Sequence, residues 1–411
     1  MQEILNELRN RGILKQISNE YKFKNLKEND GVYCGFDPTA ESLHLGNYIQ
    51  IANLLRFKKL GWNAVAVLGG ATGMIGDPSF RNSERSLLDE ETLQRNKNKI
   101  REQLERFGLT VVDNYEFYKE MNILHFLRDV GKLVNISYMI NKDSVASRIE
   151  NGLSFTEFAY QLIQGWDFYQ LYKNNNVKVQ FGGSDQWGNI TTGLEIISKE
   201  TSDEHQAVGL TINLLTDSNG VKFGKSTGGG NLWIDKQATK PYDMYQFLLN
   251  QPDSEVEKLL KWLTFLSIEE IEVVITKHKE NPAQRSAQKV LAFEIIKDLH
   301  GEKEVQKAQL TSEVLFNKNI DLKSLSLDQL SELEDNLKVV NLHFGESLFE
   351  QLVAEKIVSS KREAREFLQN KAIKVNGEAI NEEFILNSPE YQNKYAFLNV
   401  GKKNFYLIKE K

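Results

Sequence analysis

The sequence predicts an α/β fold with a parallel sheet, followed by a run of helices and a small C-terminal α+β domain. The 411-residue chain contains three short apolar runs, at 31–36, 63–68 and 177–181, and the last two lead into glycine pairs. A helical pattern at 48–60 separates the first two runs. Strands that alternate with helices are typical of a parallel sheet with helices on both faces. Ligands of such sheets bind beyond the carboxyl ends of the strands.

The composition is that of a soluble protein with two or three domains. Hydrophobic residues make up 40% of the chain, charged residues 26%, and the net charge is −6. Because no apolar run reaches the roughly 20 residues of a membrane span, we expect no membrane association. The N-terminal residues have a helical pattern without a signal peptide, which predicts a cytoplasmic location. Cys34 is the only cysteine and the six histidines are dispersed, so neither a disulfide nor a structural metal is expected.

The character of the sequence changes after the predicted sheet. Ser254 and Ser267 each precede a glutamate by three residues, a pattern that indicates helix N-termini. Near the C-terminus, Asn376-Gly377 lies between apolar runs, as in a tight β-hairpin. These signals divide the chain into a Rossmann-like domain at 1–220, a helical domain with a preceding loop at 221–316, a polar linker at 317–346 and a third domain at 347–411.

The segment VKFGKSTGGG, residues 221–230, suggests phosphate binding without matching a P-loop. A P-loop needs glycine at 219, which is Asn219 here, and a helix after Ser226, where three glycines follow instead. Lys222 and Lys225 can nevertheless bring two ammonium groups to a polyphosphate. Without further context, a solvated loop is the more common structure for such a pair.

A second phosphate-binding candidate is DPTAESLHLGN, residues 37–47, which leads from a predicted strand into a helix. Gly46 permits close backbone approach, and His44 can donate to a phosphate at the helix N-terminus. HLGN and KFGKS together resemble the two signatures of class I aminoacyl-tRNA synthetases, HIGH and KMSKS. Asn47 and Gly224 depart from those signatures, which leaves the weight of each signature residue open.

Longer segments narrow the resemblance to the bacterial tyrosyl-tRNA synthetase family. They are YCGFDPTAESLHLGN, GGATGMIGDPS, SFTEFAYQLIQGWDF, FGGSDQWGN and KFGKS, all between residues 33 and 226. The resemblance itself runs over nearly the full chain. The resemblance implies an enzyme that activates L-tyrosine with ATP and Mg²⁺ and transfers it to tRNA(Tyr). It also implies a homodimer with its interface in an insertion at about 114–149.

The resemblance also implies the roles of individual residues. Tyr33 and Asp167 would meet the tyrosine phenol, and three further residues would meet its ammonium group: Asp77, Tyr160 and Gln164. Residues 160, 164 and 167 fall on one face of a predicted helix, which agrees with a shared site. An exposed polar stripe is the alternative.

The remaining implied roles concern ATP and the phosphates. Charge on the phosphates would be met by Thr39, His44, Lys222 and Lys225. ATP would be bound by His44, Asn47, Gly183, Asp185 and Lys225, since a small residue at a strand end admits adenosine and a carboxylate can hold ribose hydroxyls. Arg81 and Arg85 would close over the pyrophosphate.

The C-terminal domain resembles the small RNA-binding domain shared with ribosomal protein S-four. Its basic side chains would contact tRNA phosphates: Lys361, Arg362, Arg365, Lys371 and Lys374. By charge alone, a solvated helix face would be favoured.

Two other functions are compatible with parts of this pattern. Tryptophanyl-tRNA synthetases resemble this fold but lack the tyrosine and aspartate that read a phenol. The second function is RNA binding or splicing by a synthetase scaffold that has lost catalysis. The presence of His44, Lys222 and Lys225 argues against it.

Overall fold

The computed structural model describes residues 2–79, 87–142, 145–146, 149, 152–216, 223–224, 230–317, 319–401 and 404–411. They divide into one unit of residues 1–239 and 249–295 and a second of residues 240–248 and 296–411. None of the helices in the described ranges is long and apolar enough to cross a membrane. The helices expected at 221–316 are divided between the two units and do not form a unit of their own.

A six-stranded sheet organises the first unit. Its strands are β1 (Leu14–Ile17), β2 (Gly31–Phe36), β3 (Asn63–Leu68), β4 (Thr110–Asp113), β5 (Val177–Gly183) and β6 (Val208–Ile212). They lie in the order β1-β6-β5-β2-β3-β4, and every neighbouring pair is parallel except β1 with β6. The predicted parallel sheet is confirmed, with one antiparallel edge strand added.

The helices of the sheet region cover this sheet. They are α1 (Gln2–Asn10), α2 (Glu20–Lys24), α3 (Leu45–Lys59), α4 (Thr72–Ile75), α5 (Glu90–Arg106), α6 (Ile123–Asp129), α7 (Ile136–Ile140), α8 (Phe155–Asn174) and α9 (Trp187–Glu200). Ser154 caps the N-terminus of α8, because its hydroxyl accepts a hydrogen bond from the Glu157 amide at 3.2 Å. A buried core of aliphatic and aromatic side chains, including Val65, Phe168 and Ile196, fixes α8 and α9 against the strands.

Five helices follow: α10 (Pro241–Leu249), α11 (Asp253–Leu263), α12 (Ile268–Glu280), α13 (Ser286–His300) and α14 (Glu302–Phe316). The capping box of Ser267 and Glu270 is confirmed. The one expected for Ser254 is wrong, because α11 already begins at Asp253. The buried Arg56 guanidinium of α3 donates to the Trp262 and Thr264 carbonyls at 2.9 and 2.8 Å, which ties the end of α11 to the sheet region.

The second unit contains a five-stranded sheet. Its elements are α15 (Leu327–Leu333), β7 (Lys338–Leu342), α16 (Leu348–Ala354), α17 (Lys361–Gln369), β8 (Ile373–Val375), β9 (Glu378–Ala379), β10 (Tyr395–Val400) and β11 (Asn404–Glu410). The strand order is β7-β11-β10-β8-β9, with β7 parallel to β11. Asn376 and Gly377 both have positive φ, 48° and 87°, as the predicted tight hairpin requires.

The expected linker at 317–346 differs from the structure. β7 pairs with β11 over five residues, and Leu330 and Leu333 of α15 are fully buried in a core with Phe397 and Leu407. The polar side chains of this segment obscured its few apolar positions, which are the ones that face the core. Residues 327–342 are therefore part of the C-terminal domain.

Candidate active site

Two glycine-containing segments far apart in sequence pack directly against each other. A Cβ on Gly46 would lie 2.8 Å from the Phe223 carbonyl oxygen, and a Cβ on Gly224 would lie 3.0 Å from the Gly46 amide nitrogen. Gly224 also has φ +91°, which disfavours any side chain. Close packing and the positive φ thus explain why glycine stands at position 224.

A short ladder of backbone hydrogen bonds holds these segments together. The Leu45 amide donates to the Leu232 carbonyl at 2.8 Å, the Ile234 amide to Leu43 at 2.9 Å, and the Leu232 amide to Gly224 at 2.8 Å. His44 precedes the first residue of α3, where unpaired helix amides favour an anion. Its backbone amide donates to Asn47 Oδ1 at 3.1 Å, so Asn47 also shapes the helix start.

A cavity of about 550 Å³ opens at the carboxyl ends of β2 and β5. Its lining includes most of the described residues predicted from the sequence: Thr39, His44, Asn47, Asp77, Tyr160, Gln164, Gly183 and Asp185. Both signature segments contribute, through Gly46 and Phe223. The expectation that ligands bind beyond the strand ends agrees with this position.

Fixed carboxylates line one side of the cavity. Asp77 Oδ2 accepts from Gln186 Nε2 at 2.7 Å, and Asp37 accepts from the Thr72 hydroxyl at 2.7 Å and the Tyr160 hydroxyl at 3.0 Å. Donors that hold a carboxylate in place leave its other lone pairs available to a cation. The arrangement suits an ammonium group near Asp77 and Tyr160.

Tyr33 and Asp167 are not among the lining residues of the cavity: they are buried, 1% and 2% exposed, and lie next in sequence or on the same helix as the lining residues Cys34 and Gln164. Asp167 accepts from Asn114 Nδ2 at 2.9 Å and from the Tyr118 hydroxyl at 2.6 Å. Burial nevertheless dominates and raises the pKa of Asp167 to about 7. Burial, with the nearby Asp167 charge, also raises the pKa of Tyr33 well above its ordinary value. The Tyr33 hydroxyl has no hydrogen-bond partner among the described residues.

Four predicted residues lie outside the described residues: Lys222, Lys225, Arg81 and Arg85. Several further groups lie at the site that were not predicted from the sequence. Asp37 and Gln186 lie within the segments DPTAESLHLGN and FGGSDQWGN, next to residues that were predicted to form the site. Their position in those segments could therefore have indicated them. Asn114 and Tyr118 contact Asp167 from about 50 residues away in sequence, and no local pattern indicates that contact.

Comparison with known proteins identifies the family. The model described as tRNA synthetases class I (W and Y) matches residues 24–317, and the Tyrosine--tRNA ligase SYY-like C-terminal domain matches residues 329–408. Over 411 residues, covering 100% of both chains, the sequence is 59% identical to the tyrosine-tRNA ligase of Mycoplasmopsis synoviae. The chain belongs to the tyrosine-tRNA ligase family.

Further relatives support membership of the tyrosine-tRNA ligase family. The tyrosine-tRNA ligase of Mycoplasmopsis agalactiae is 54% identical, with 99% of each chain covered. A C-terminally truncated mitochondrial tyrosyl-tRNA synthetase of Aspergillus nidulans has a TM-score of 0.68 and 30% identity over 76% of this chain and 94% of its own. A tryptophanyl-tRNA synthetase of Encephalitozoon cuniculi, at 11% identity and TM-score 0.52, shares the fold alone.

The buried Asp167 carboxyl should lower stability at neutral pH. Its pKa in the folded chain, about 7, exceeds the ordinary 3.8, so between these pH values the folded chain keeps a proton that the unfolded chain has released. The free energy of unfolding therefore falls as the pH rises through this window. Because asparagine does not ionise, Asp167→Asn should gain about 3 kcal/mol relative to the unaltered chain between pH 5 and pH 8.

Denaturant unfolding of both proteins at several pH values measures this gain. Asp129→Asn is the matched control, because the Arg128 side chain holds the pKa of Asp129 below its ordinary value. That carboxylate is exposed and ionised in both states across the range, so its substitution should give a constant difference. A constant difference for Asp167→Asn as well would contradict the raised pKa.

Proposed function

We propose that this chain activates L-tyrosine with ATP to give tyrosyl-adenylate and pyrophosphate, and then transfers tyrosine to the 3′-terminal adenosine of tRNA(Tyr). The observation that carries the proposal is the buried pair of Tyr33 and Asp167 near a cavity lined by both signature segments. A phenol that reached this pair would satisfy the unpaired Tyr33 hydroxyl and the Asp167 carboxylate together. A benzyl group would leave the Tyr33 hydroxyl unpaired and would give Asp167 no donor beyond Asn114 and Tyr118. An indole has an N–H donor but no oxygen to accept from Tyr33.

The amino acid would lie between this pair and the ATP. Asp77, Tyr160 and Gln164 would bind its ammonium group, and its carboxylate would attack the α-phosphorus while the bond to pyrophosphate breaks. No general base is needed, because the attacking carboxylate is already ionised at neutral pH. Catalysis then depends on alignment of the two substrates and on stabilisation of phosphate charge.

ATP would lie against the start of α3 and the end of β5. His44 and Thr39, with Lys222 and Lys225, would stabilise the developing phosphate charge, and Asn47 would assist at the helix start. Gly183 would admit the adenosine and Asp185 would hold the ribose hydroxyls. Arg81 and Arg85 would close over the pyrophosphate.

Mg²⁺ would enter as part of the ATP substrate. Among the described residues, no group of three histidine, cysteine or acidic side chains could hold a metal ion by itself. Magnesium commonly binds through substrate phosphates with only one or two protein carboxylates. The cytoplasmic location stays a prediction.

Amino-acid-dependent pyrophosphate exchange, run with each of the twenty amino acids, tests the activation step. Tyrosine alone should support rapid exchange. A site that hydrogen-bonds a hydroxyl rejects the analogue without it by about 10⁴ to 10⁵, a range measured partly on enzymes of this family. A response to tryptophan would support tryptophanyl-tRNA synthetase activity instead. No response to any amino acid would support an RNA-binding protein without catalysis.

We also propose that the C-terminal domain binds tRNA phosphates through Lys361, Arg362, Arg365, Lys371 and Lys374. All five are exposed. Lys361 and Arg365 lie on α17 and are already paired with Glu350 and Glu382, at 2.8 and 3.0 Å. Exposed ion pairs of this kind contribute at most about 1 kcal/mol, so phosphates can replace the glutamates.

The double variant Lys361→Glu, Arg365→Glu should weaken tRNA binding and flatten its salt dependence by roughly one unit of slope per lost phosphate contact. Lys411→Glu, which breaks an equally exposed pair with Glu355, is the control and should leave binding unchanged. Tyrosine activation should stay the same in both proteins. Equal tRNA affinity in the double variant would exclude this surface.

A homodimer is the third part of the proposal. Eight of the seventeen exposed large hydrophobic side chains of the described residues lie between positions 123 and 155: Ile123, Leu124, Leu127, Ile136, Tyr138, Ile140, Ile149 and Phe155. A concentration of exposed apolar surface marks an interaction site. We propose that a second copy of the chain covers it. However, Asn114 and Tyr118, near the start of the insertion expected at 114–149, hydrogen-bond to Asp167. These two residues therefore belong to the candidate active site and not to the exposed apolar surface.

Replacing Ile123 and Leu124, 67% and 72% exposed, by aspartate should convert the dimer into monomers, because each carboxylate would lose its hydration at the interface. Light scattering after gel filtration should show the mass falling by half. Val273→Asp, at a 69% exposed position on α12, is the matched control. A monomeric unaltered chain would refute the dimer.

A further inference from the structure

Tyr118 occupies a position that neither the sequence patterns nor the proposed reaction use. It follows the short 3₁₀ turn Asn114–Phe117, and its ring packs against the buried core of the first unit, with the Phe126 ring centroid 6.4 Å away. Its hydroxyl reaches past this core to the carboxyl of Asp167. The ring is therefore anchored by apolar contacts, while the hydroxyl lies in the polar pocket.

The Tyr118 hydroxyl has one proton and two nearby acceptors. Its oxygen lies 2.6 Å from Asp167 Oδ1 and 2.7 Å from the Ile163 carbonyl oxygen. Ile163 lies in the middle of α8, so its carbonyl already accepts the helical hydrogen bond from four residues further on. A hydrogen bond to an ionised acceptor is roughly twice as strong as one between neutral groups. The Tyr118 hydroxyl therefore donates its hydrogen bond to Asp167 whenever Asp167 is ionised.

The other carboxylate oxygen is fixed as well. Asn114 Nδ2 donates to Asp167 Oδ2 at 2.9 Å. With one donor on each oxygen, the carboxylate cannot rotate, and each oxygen keeps lone pairs for a further donor. The carboxylate is thus oriented before any ligand arrives.

We propose that Tyr118 is a positioning residue for phenol recognition: it stabilises the ionised, fixed form of Asp167 that accepts the tyrosine hydroxyl. This inference rests on the proposed tyrosine specificity. Tyr118 acts through Asp167 and need not touch the substrate. Its removal should therefore affect a substrate with a hydroxyl and spare one without it.

The groups around Asp167 determine the pH response. Tyr33 of β2, Tyr118 and, further away, Asp37 and Asp113 are the titratable groups that influence it or that it influences, whereas Asn114 is neutral. The two hydrogen bonds lower the pKa of Asp167 and burial raises it. Without the Tyr118 donor the carboxyl should hold its proton to a higher pH, which removes the anionic acceptor at neutral pH.

The test is Tyr118→Phe, which keeps the ring and removes only the hydroxyl. For tyrosine, kcat/KM in pyrophosphate exchange should fall roughly tenfold or more, as expected for loss of a hydrogen bond to a charged group, and mainly through KM. For phenylalanine, kcat/KM should stay the same, so selectivity falls by the same factor. The pH at which tyrosine activation declines on acidification should move upward by about one unit per tenfold loss.

Tyr115→Phe is the matched control, since Tyr115 lies in the same turn with a 41% exposed ring. It should change neither selectivity nor the pH profile. Equal losses for tyrosine and phenylalanine in Tyr118→Phe would indicate a structural role only, and unchanged selectivity with an unchanged pH profile would also overturn the inference. If the unaltered chain does not activate tyrosine at all, the proposed function fails instead.

Discussion

The close contact of Gly46 with residues 223–224 is the constraint on which the catalytic face depends. It joins the start of α3, which follows β2, to a segment that follows β6 on the other side of β5. Any side chain at Gly46 would push this segment away from the helix N-terminus. The cavity therefore has two walls whose separation is set by backbone contact, and that separation is insensitive to side-chain motion.

Burial of the Asp167 carboxyl has a thermodynamic cost. This carboxyl group is 2% exposed, and among the described residues Asn114 and Tyr118 are the side chains that donate to it. An apolar residue of similar size would fit a stable core better. Strain or unfavourable charge of this kind is typically retained where function requires it. The site thus places an unfavourable charge where a ligand donor can offset it.

Local patterns predicted much of this protein. The strands at 31–36 and 63–68 have the bounds the sequence indicated, because a buried parallel strand is a continuous apolar run with clear ends. The meeting of the two signature segments required the family resemblance, since no local rule brings Gly46 to Gly224. Asn114 and Tyr118 contact Asp167 from a distant segment, and no periodic pattern in the sequence indicates such contacts. Strand β7 was missed because its polar edge positions resemble a linker.

The position of β11 in the C-terminal sheet has a consequence for synthesis. β11 lies between β7 and β10 and follows both in sequence. Among the described residues, β7 has no other partner in this sheet, so it cannot pair before residues 404–410 have been synthesised, whereas β10 can already pair with β8. Domains generally fold as units as they emerge from the ribosome, the N-terminal ones first. The first unit can begin to assemble during translation, whereas the five-stranded sheet is complete only after β11 has emerged. Vectorial synthesis thus places completion of the five-stranded sheet after the start of assembly in the first unit.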